Sequence, residues 1–323
     1  MSAANATEYE IVGYLDRLSN WGRWGGDDRL GTLNLITDAK RREAAAGVRE
    51  GLAIGCGRPI VFEAGASDVL VPPILQPLPT APSDGADPRI ETAAEVVGCA
   101  PHGVTVTHLD ALSHFRVDGR SYNGRRPRGE PDGEGSGARE EPAARGERGE
   151  AVDDPLRDGI VTRGVLVDVA ALRDRPWLDP GDRIQAEDVE QWERAHDVEV
   201  TEGDALLVRT GWARRRRELG PYPERKHRPG LDPSMLPWLR DRGVALVASD
   251  AAHDAIPSGL TRIPMPIHAV GLVAMGLWLV DNGDFDRLAD ACAARSRWSF
   301  LFMAAPPRFS GATGTPVNPI AVL

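Results

Sequence analysis

Four short apolar runs, each rich in Val, Leu or Ala and bounded by Gly, Asp or Thr, constrain most tightly what this chain can fold into: Gly103–Thr107, Val161–Val169, Ala205–Arg209 and Val244–Ser249. Runs of this length and composition suit strands buried on both faces. Between and around them lie segments with helical character. Asp38–Gly51 is Ala-rich and charged, Ala186–His196 opens with an acidic turn, and Ser234–Arg242 follows Asp232-Pro233. His268–Trp278 reads as a further buried helix leading into a short strand, Leu277–Val280. Strands mixed with helices predict an α/β fold.

Charge and composition exclude several function classes. The net charge of −10 and a pI near 5.3 give a field that repels nucleic acid and anionic membranes. The longest apolar run, Ala269–Val280, has 12 residues and is too short to span a bilayer. Cys56, Cys99 and Cys292 form no CxxC pair and fit neither a disulfide framework nor a thiolate zinc site. With no signal-peptide pattern over Met1–Glu10, the expectation is a soluble, cytoplasmic protein. From Asn123 to Ala151 there is no aliphatic side chain larger than Ala and no aromatic one. That stretch is predicted to be a solvated, mobile loop (123–151) inside a single domain spanning 1–323.

Three of the seven histidines, His102, His108 and His114, fall within thirteen residues of one another, beside Asp110. In an extended strand, alternate residues share a face, so His102, Val104, Val106, His108 and Asp110 would point one way. An imidazole and a carboxylate at i and i+2 can chelate one divalent ion, and a turn after the strand would fold His114 back over the same place. Such nitrogen and oxygen ligation suits Zn²⁺ or Mn²⁺. The same pattern also arises where histidines merely hydrogen-bond around a strand end. Trp21 and Trp24 flank a Gly-rich turn and are candidates to wall an aromatic substrate pocket, or simply to pack the N-terminal arm. His253, just after a predicted strand, is a candidate pocket residue, and Arg163 and Arg209 are candidates for a carboxylate site or for ordinary ion pairs.

Thr107-His108-Leu109-Asp110-Ala111-Leu112-Ser113-His114 resembles the H-x-G-T-H-x-D-A-P-x-H signature of the cyclase superfamily, which includes bacterial kynurenine formamidases and isatin hydrolases. The segment Trp24–Asn34 is similar to the N-terminal part of its longer members. Tyr122-Asn123-Gly124, Asp158–Val165 and Gly314–Pro319 are similar to its later blocks. The resemblance implies a β-barrel-like core of mixed strands flanked by helices, usually dimeric, with one or two Zn²⁺ or Mn²⁺ ions. It assigns His108 and Asp110 as metal ligands, His114 as the acid/base group, and His268 and Asp281 as a second ligand set. The superfamily's first metal histidine falls at Val104 here, which leaves His102 to replace it if the strand bulges. The function implied is a metal-dependent amidohydrolase that cleaves a C–N bond in a small amide, formamide or cyclic amide, using activated water and His114. The alternative is a polyketide-type cyclase or dehydratase with little metal dependence. The expected partners are a small-molecule substrate and a second copy of the chain.

Overall fold

The computed structural model describes residues 7–62, 71–79, 87, 89–126, 155–223 and 225–323. Thirteen strands occur there. The first seven are β1 (Ala53–Gly55), β2 (Ile74–Pro77), β3 (Glu95–Gly98), β4 (His108–Asp110), β5 (Ile160–Asp168), β6 (Arg183–Ile184) and β7 (Ala205–Arg209). They are followed by β8 (Gly230–Leu231), β9 (Leu246–Ser249), β10 (Trp278–Asp281), β11 (Ser299–Ala304), β12 (Gly314–Pro316) and β13 (Ile320–Val322). Nine of them form one mixed sheet in the order β1-β13-β11-β5-β7-β9-β10-β4-β12, curled into half a barrel and flanked by helices. The two remaining pairs, β2 with β3 and β6 with β8, are small separate sheets.

The centre of the large sheet, β5-β7-β9-β10, is parallel. Its strands are buried on both faces, which explains why they read as continuous Val and Leu runs without alternation. Helices connect these strands. Ala186–His196 begins with a reciprocal capping box between Gln185 and Asp188 and ends at Asp197 in the left-handed region. Asp38–Ala46 is capped by the Thr37 side chain, which accepts from the Lys40 amide. Its predicted extent to Gly51 is cut short at Gly47. The segment predicted as one helix from His268 splits into a short α-turn, Pro266–His268, and a π-helix, Ala269–Met275, stopped by Gly276 at φ 64°. No helix among the described residues is long and apolar enough to cross a membrane.

One strand prediction is corrected. Gly103–Thr107 is a bent loop, and the strand is its continuation, His108–Asp110. The reason lies in where the loop's carbonyls go. The Asn282 amide donates to the carbonyls of Gly103 and Val106 at 2.8 and 3.1 Å, and Arg58 donates to that of Val104. Side chains from distant parts of the chain thus satisfy the backbone groups that a neighbouring strand would otherwise pair. The predicted polar loop lies outside the described residues from position 127 to 151. Its first residues, by contrast, are anchored: the Asn123 side chain accepts from the Gly22 amide and donates to the carbonyls of Gly25, Gly26 and Asp28.

Candidate active site

The parallel run of strands ends at β10, and β4 is laid against it antiparallel. Such a change of direction opens a crevice at the carboxyl ends of the parallel strands, and the cluster sits there. Register does the first part of the assembly. His108 pairs with Asp281 and Asp110 with Leu279, so His108 and Asp281 are cross-strand neighbours. His108 and Asp110 share a face of β4 while Leu109 turns into the core, fully buried.

The loop after β9 supplies the next layer. Asp254 Oδ1 accepts from the Ile267 amide at 2.8 Å and Oδ2 from the His268 amide at 3.3 Å, which caps the Pro266–His268 turn, and Oδ2 also accepts from Nδ1 of His268. This fixes the tautomer and aims Nε2 of His268 at Asp281 Oδ2 (3.3 Å) and Asp110 Oδ2 (3.5 Å). His108 is set in the same way: its Nδ1 donates to the carbonyl of Val106 at 2.8 Å. Nε2 is left 3.4 Å from Asp110 Oδ1 and 3.9 Å from Asp281 Oδ2.

Two imidazole lone pairs and two carboxylates therefore face one another in a buried space. Asp110 Oδ2 has no hydrogen-bond partner among the described residues. A cation between electron-rich atoms so arranged would offset their mutual repulsion. Without a metal, protons have to serve. Burial pushes the His108 and His268 imidazoles down, but the hydrogen bonds and charges of the surrounding aspartates outweigh it and raise both, His268 strongly. Asp110 and Asp281 are lowered despite their burial, by the histidines around them. The donor set, nitrogen and carboxylate oxygen without thiolate, fits a divalent ion of the Zn²⁺ or Mn²⁺ type. Two groups have ligand atoms close enough to share an ion: His102, His108 and Asp110, and His253, His268 and Asp281.

His102 reaches the cluster from the bent loop and not from a strand face. Its Nδ1 donates to Asp110 Oδ1 at 2.9 Å, and its Nε2 accepts from the Thr313 hydroxyl at 3.1 Å. Residue 314 has to be glycine for this, because a Cβ there would lie 2.4 Å from the His102 ring. His114 stacks on that ring with centroids 3.6 Å apart, and its Nε2 is 4.0 Å from Asp110 Oδ1. Burial, with the neighbouring histidines and against the attraction of Asp110, holds the His114 imidazole at a pKa of about 4. The cavity in front of these groups measures about 280 Å³. On its remaining walls stand Val104, Ile256, Met265, Ala252 and two arginines, Arg225 and Arg228.

Other expected site residues lie elsewhere. His253 is fully buried, with Nδ1 on Asp281 and Nε2 3.2 Å from the carbonyl of Val247, so it braces Asp281 from behind and is not among the residues lining the cavity. Trp21 donates to the carbonyl of Val273 and packs near Gly124, and Trp24 lies under the Arg23 guanidinium. Neither indole borders the cavity. Arg163 is tied to Asp204, and Arg209 to Asp168 and Asp286, in ion pairs on other parts of the sheet. Asp254, Arg225 and Arg228 were not anticipated. The run Ser249–Asp254 after a buried strand carried a signal for the first, while nothing local marked the arginines.

The family model described as "Putative cyclase" matches residues 61–253, more than half of the chain and all of the stretch from His102 to His114. This chain belongs to the cyclase family. A solved structure of a novel cyclase is 26% identical and superposes with a TM-score of 0.79, covering 96% of this chain and 99% of its own. Isatin hydrolase A from Ralstonia solanacearum, 18% identical, gives 0.59 over 86% of this chain and 93% of its own. Isatin hydrolase A from Labrenzia aggregata, bound to benzyl benzoate, is 19% identical and gives 0.56 over 86% and 94%. At these identities the isatin hydrolases share the cyclase fold with this chain, and the comparison goes no further. No curated protein sequence matches.

Proposed function

We infer that this cyclase-family member is a metal-dependent hydrolase that cleaves the C–N bond of a small amide, formamide or cyclic amide. The observation that carries the reading is the buried convergence of His108 and His268 Nε2 with the Asp110 and Asp281 carboxylates, one of whose oxygens has no hydrogen-bond partner. The hydrolase activity named for its isatin-hydrolase neighbours supports the same direction.

His108, Asp110, His268 and Asp281 would hold the ion, and His102, with Nδ1 on Asp110 and Nε2 on the Thr313 hydroxyl, would brace Asp110 beside it. A divalent ion bound there supplies Lewis acidity, which acidifies water and polarises a carbonyl. Asp254 and the carbonyl of Val106 keep both imidazole lone pairs turned inward, and His253 holds Asp281 from behind. His114 lies on the cavity wall within reach of the cluster. It takes up the proton released by the attacking water and returns it to the departing nitrogen, since an amine leaves readily only when protonated. The apolar walls limit competing water and hold the non-reacting part of the substrate. The working unit is proposed to be a homodimer. The hairpin of β2 and β3, with Ile74, Leu75, Val96 and Val97 all exposed, is consistent with a covered surface in such an assembly.

Metal analysis of protein purified without chelator tests the reading. About one Zn²⁺ or Mn²⁺ per chain is expected, Asp110→Ala should lose it, and hydrolysis of simple formamides should disappear with it. Full turnover by metal-free protein would overturn the mechanism.

A further inference from the structure

We propose that Asn282 and Arg58 are positioning residues of the site: from outside the cavity they hold the bent loop whose Val106 carbonyl sets the tautomer of His108. This rests on the metal-dependent reading for what the His108 lone pair is used for. The brace itself stands on separate residues, neither of which is among those lining the cavity.

Asn282, directly after Asp281, is fully buried with φ 59°, a left-handed conformation in which Asn is enriched. Its Nδ2 donates to the carbonyls of Gly103 at 2.8 Å and Val106 at 3.1 Å. The Val106 carbonyl also accepts from Nδ1 of His108 at 2.8 Å, so its two lone pairs are divided between the imidazole and the carboxamide. This matters because the Asp110 and Asp281 carboxylates, 3.4 and 3.9 Å from Nε2 of His108, attract a proton onto that nitrogen. A proton there would leave no lone pair for a metal. The fixed Val106 carbonyl opposes the shift by keeping the proton on Nδ1. Asn282 Oδ1 has no hydrogen-bond partner among the described residues, so the carboxamide contributes through its two donors, at the cost of an unpaired acceptor.

Arg58 ties the same loop to two other segments. Its Nη1 donates to the carbonyl of Val104 at 3.3 Å, its Nε to that of Gly283 at 3.2 Å, and its Nη2 to that of Asp250. Val104 lies between His102 and His108, Gly283 follows Asp281 and Asn282, and Asp250 begins the turn that leads to His253 and Asp254. Thr107 links the two braces: its hydroxyl accepts from the Arg58 amide at 2.8 Å and donates to the Asn282 carbonyl at 2.6 Å. Three loops that carry the cluster are thereby set relative to one another by side chains, where no sheet hydrogen bonds reach.

Asn282→Gly is the cleanest variant, because Gly adopts the left-handed backbone without strain and removes both donors. Competition with a chromophoric chelator should show Zn²⁺ affinity about 10- to 100-fold weaker than wild type. Ring ¹⁵N spectra of chelator-treated protein, at alkaline pH where the imidazoles are neutral, should show His108 moving from its Nδ1–H toward its Nε2–H tautomer. His268 is the internal reference, since its Nδ1 is held by Asp254 and its signals should stay in place. Because Asn282 is buried, Arg58→Met is included as a second route; it should weaken Zn²⁺ binding severalfold, with Arg58→Lys between it and wild type. Wild-type Zn²⁺ affinity in both Asn282→Gly and Arg58→Met would overturn the proposal. So would loss of the His268 signals together with those of His108, the mark of a merely structural role. If wild type binds no Zn²⁺ while His108 still changes tautomer in Asn282→Gly, the hydrolase reading falls and the brace stands. If wild type hydrolyses simple formamides with bound Zn²⁺ and both variants hold the ion as tightly, the reverse is true.

Discussion

His114 is the residue on which the proton transfers depend, and its environment differs from that of the other site histidines. His108 and His268 are raised by aspartates, whereas His114 is lowered to about 4, with burial the first cause. An imidazole accepts a proton only when neutral, so His114 stays in its accepting form well below the ordinary 6.5. The acid limb of the kcat/KM profile should therefore lie nearer pH 4 than 6.5. A limb at the ordinary imidazole value would remove His114 from the role of base. His114→Asn should lower kcat by roughly 10²- to 10⁴-fold while metal content stays at the wild-type level. Asp254→Asn probes a different role. It leaves the ligands in place but loosens the His268 tautomer, and titration with a metal indicator should show an affinity about 10- to 100-fold weaker.

At the scale of elements, the bent segment before β4 shows what local reading could and could not supply. Val104, Thr105 and Val106 have strand propensity, and their alternation predicted that His102 and His108 would share a strand face. Asn282 and Arg58 instead bind the carbonyls of this segment, and His102 arrives at Asp110 through a loop. The expected meeting of His102 with Asp110 occurs, by a different route from the one expected. The loop's fit depends on β12, where Gly314 leaves room for the imidazole. Gly314→Ala should destabilise the protein by roughly 1–3 kcal/mol through overpacking. In the background of His102→Ala that cost should largely vanish, and urea unfolding of the two single variants and the double variant measures it. Additive losses would show that the ring and the glycine do not interact.

For the whole molecule, two carboxylates and two imidazoles buried together link stability to the protons, or the proposed metal, that offset their charge. Protonated His108 and His268 stabilise the metal-free fold below the unfolded value of 6.5, and this contribution is lost as pH rises through their raised folded values. Metal should therefore raise Tm more at alkaline than at neutral pH. At free metal about 100 times Kd the gain at a given pH is about 2.7 kcal/mol. Calorimetric scans with and without chelator check this, and a Tm increment that shrinks with rising pH would contradict it.

The sequence by itself determined the central strands, because Val161–Val169, Ala205–Arg209 and Val244–Ser249 are dominated by Val, Leu and Ala with little polar alternation, as strands buried on both faces are. It also marked His108, Asp110 and His114, which stand close enough along the chain for local geometry to relate them. Only the tertiary structure decided the rest. Asp281 meets His108 through the register of β10 on β4, and His268 is aimed by Asp254, a residue fourteen positions earlier. Arg228 is fixed by the zipping of its loop to Ile256, His253 braces Asp281 from behind, and Arg163 and Arg209 are drawn to carboxylates away from the cavity. Propensity and periodicity act over a few residues. Which charge faces which across a sheet is settled by strand order and register, where the cost of an unpaired buried group selects among arrangements that the local sequence treats as equal.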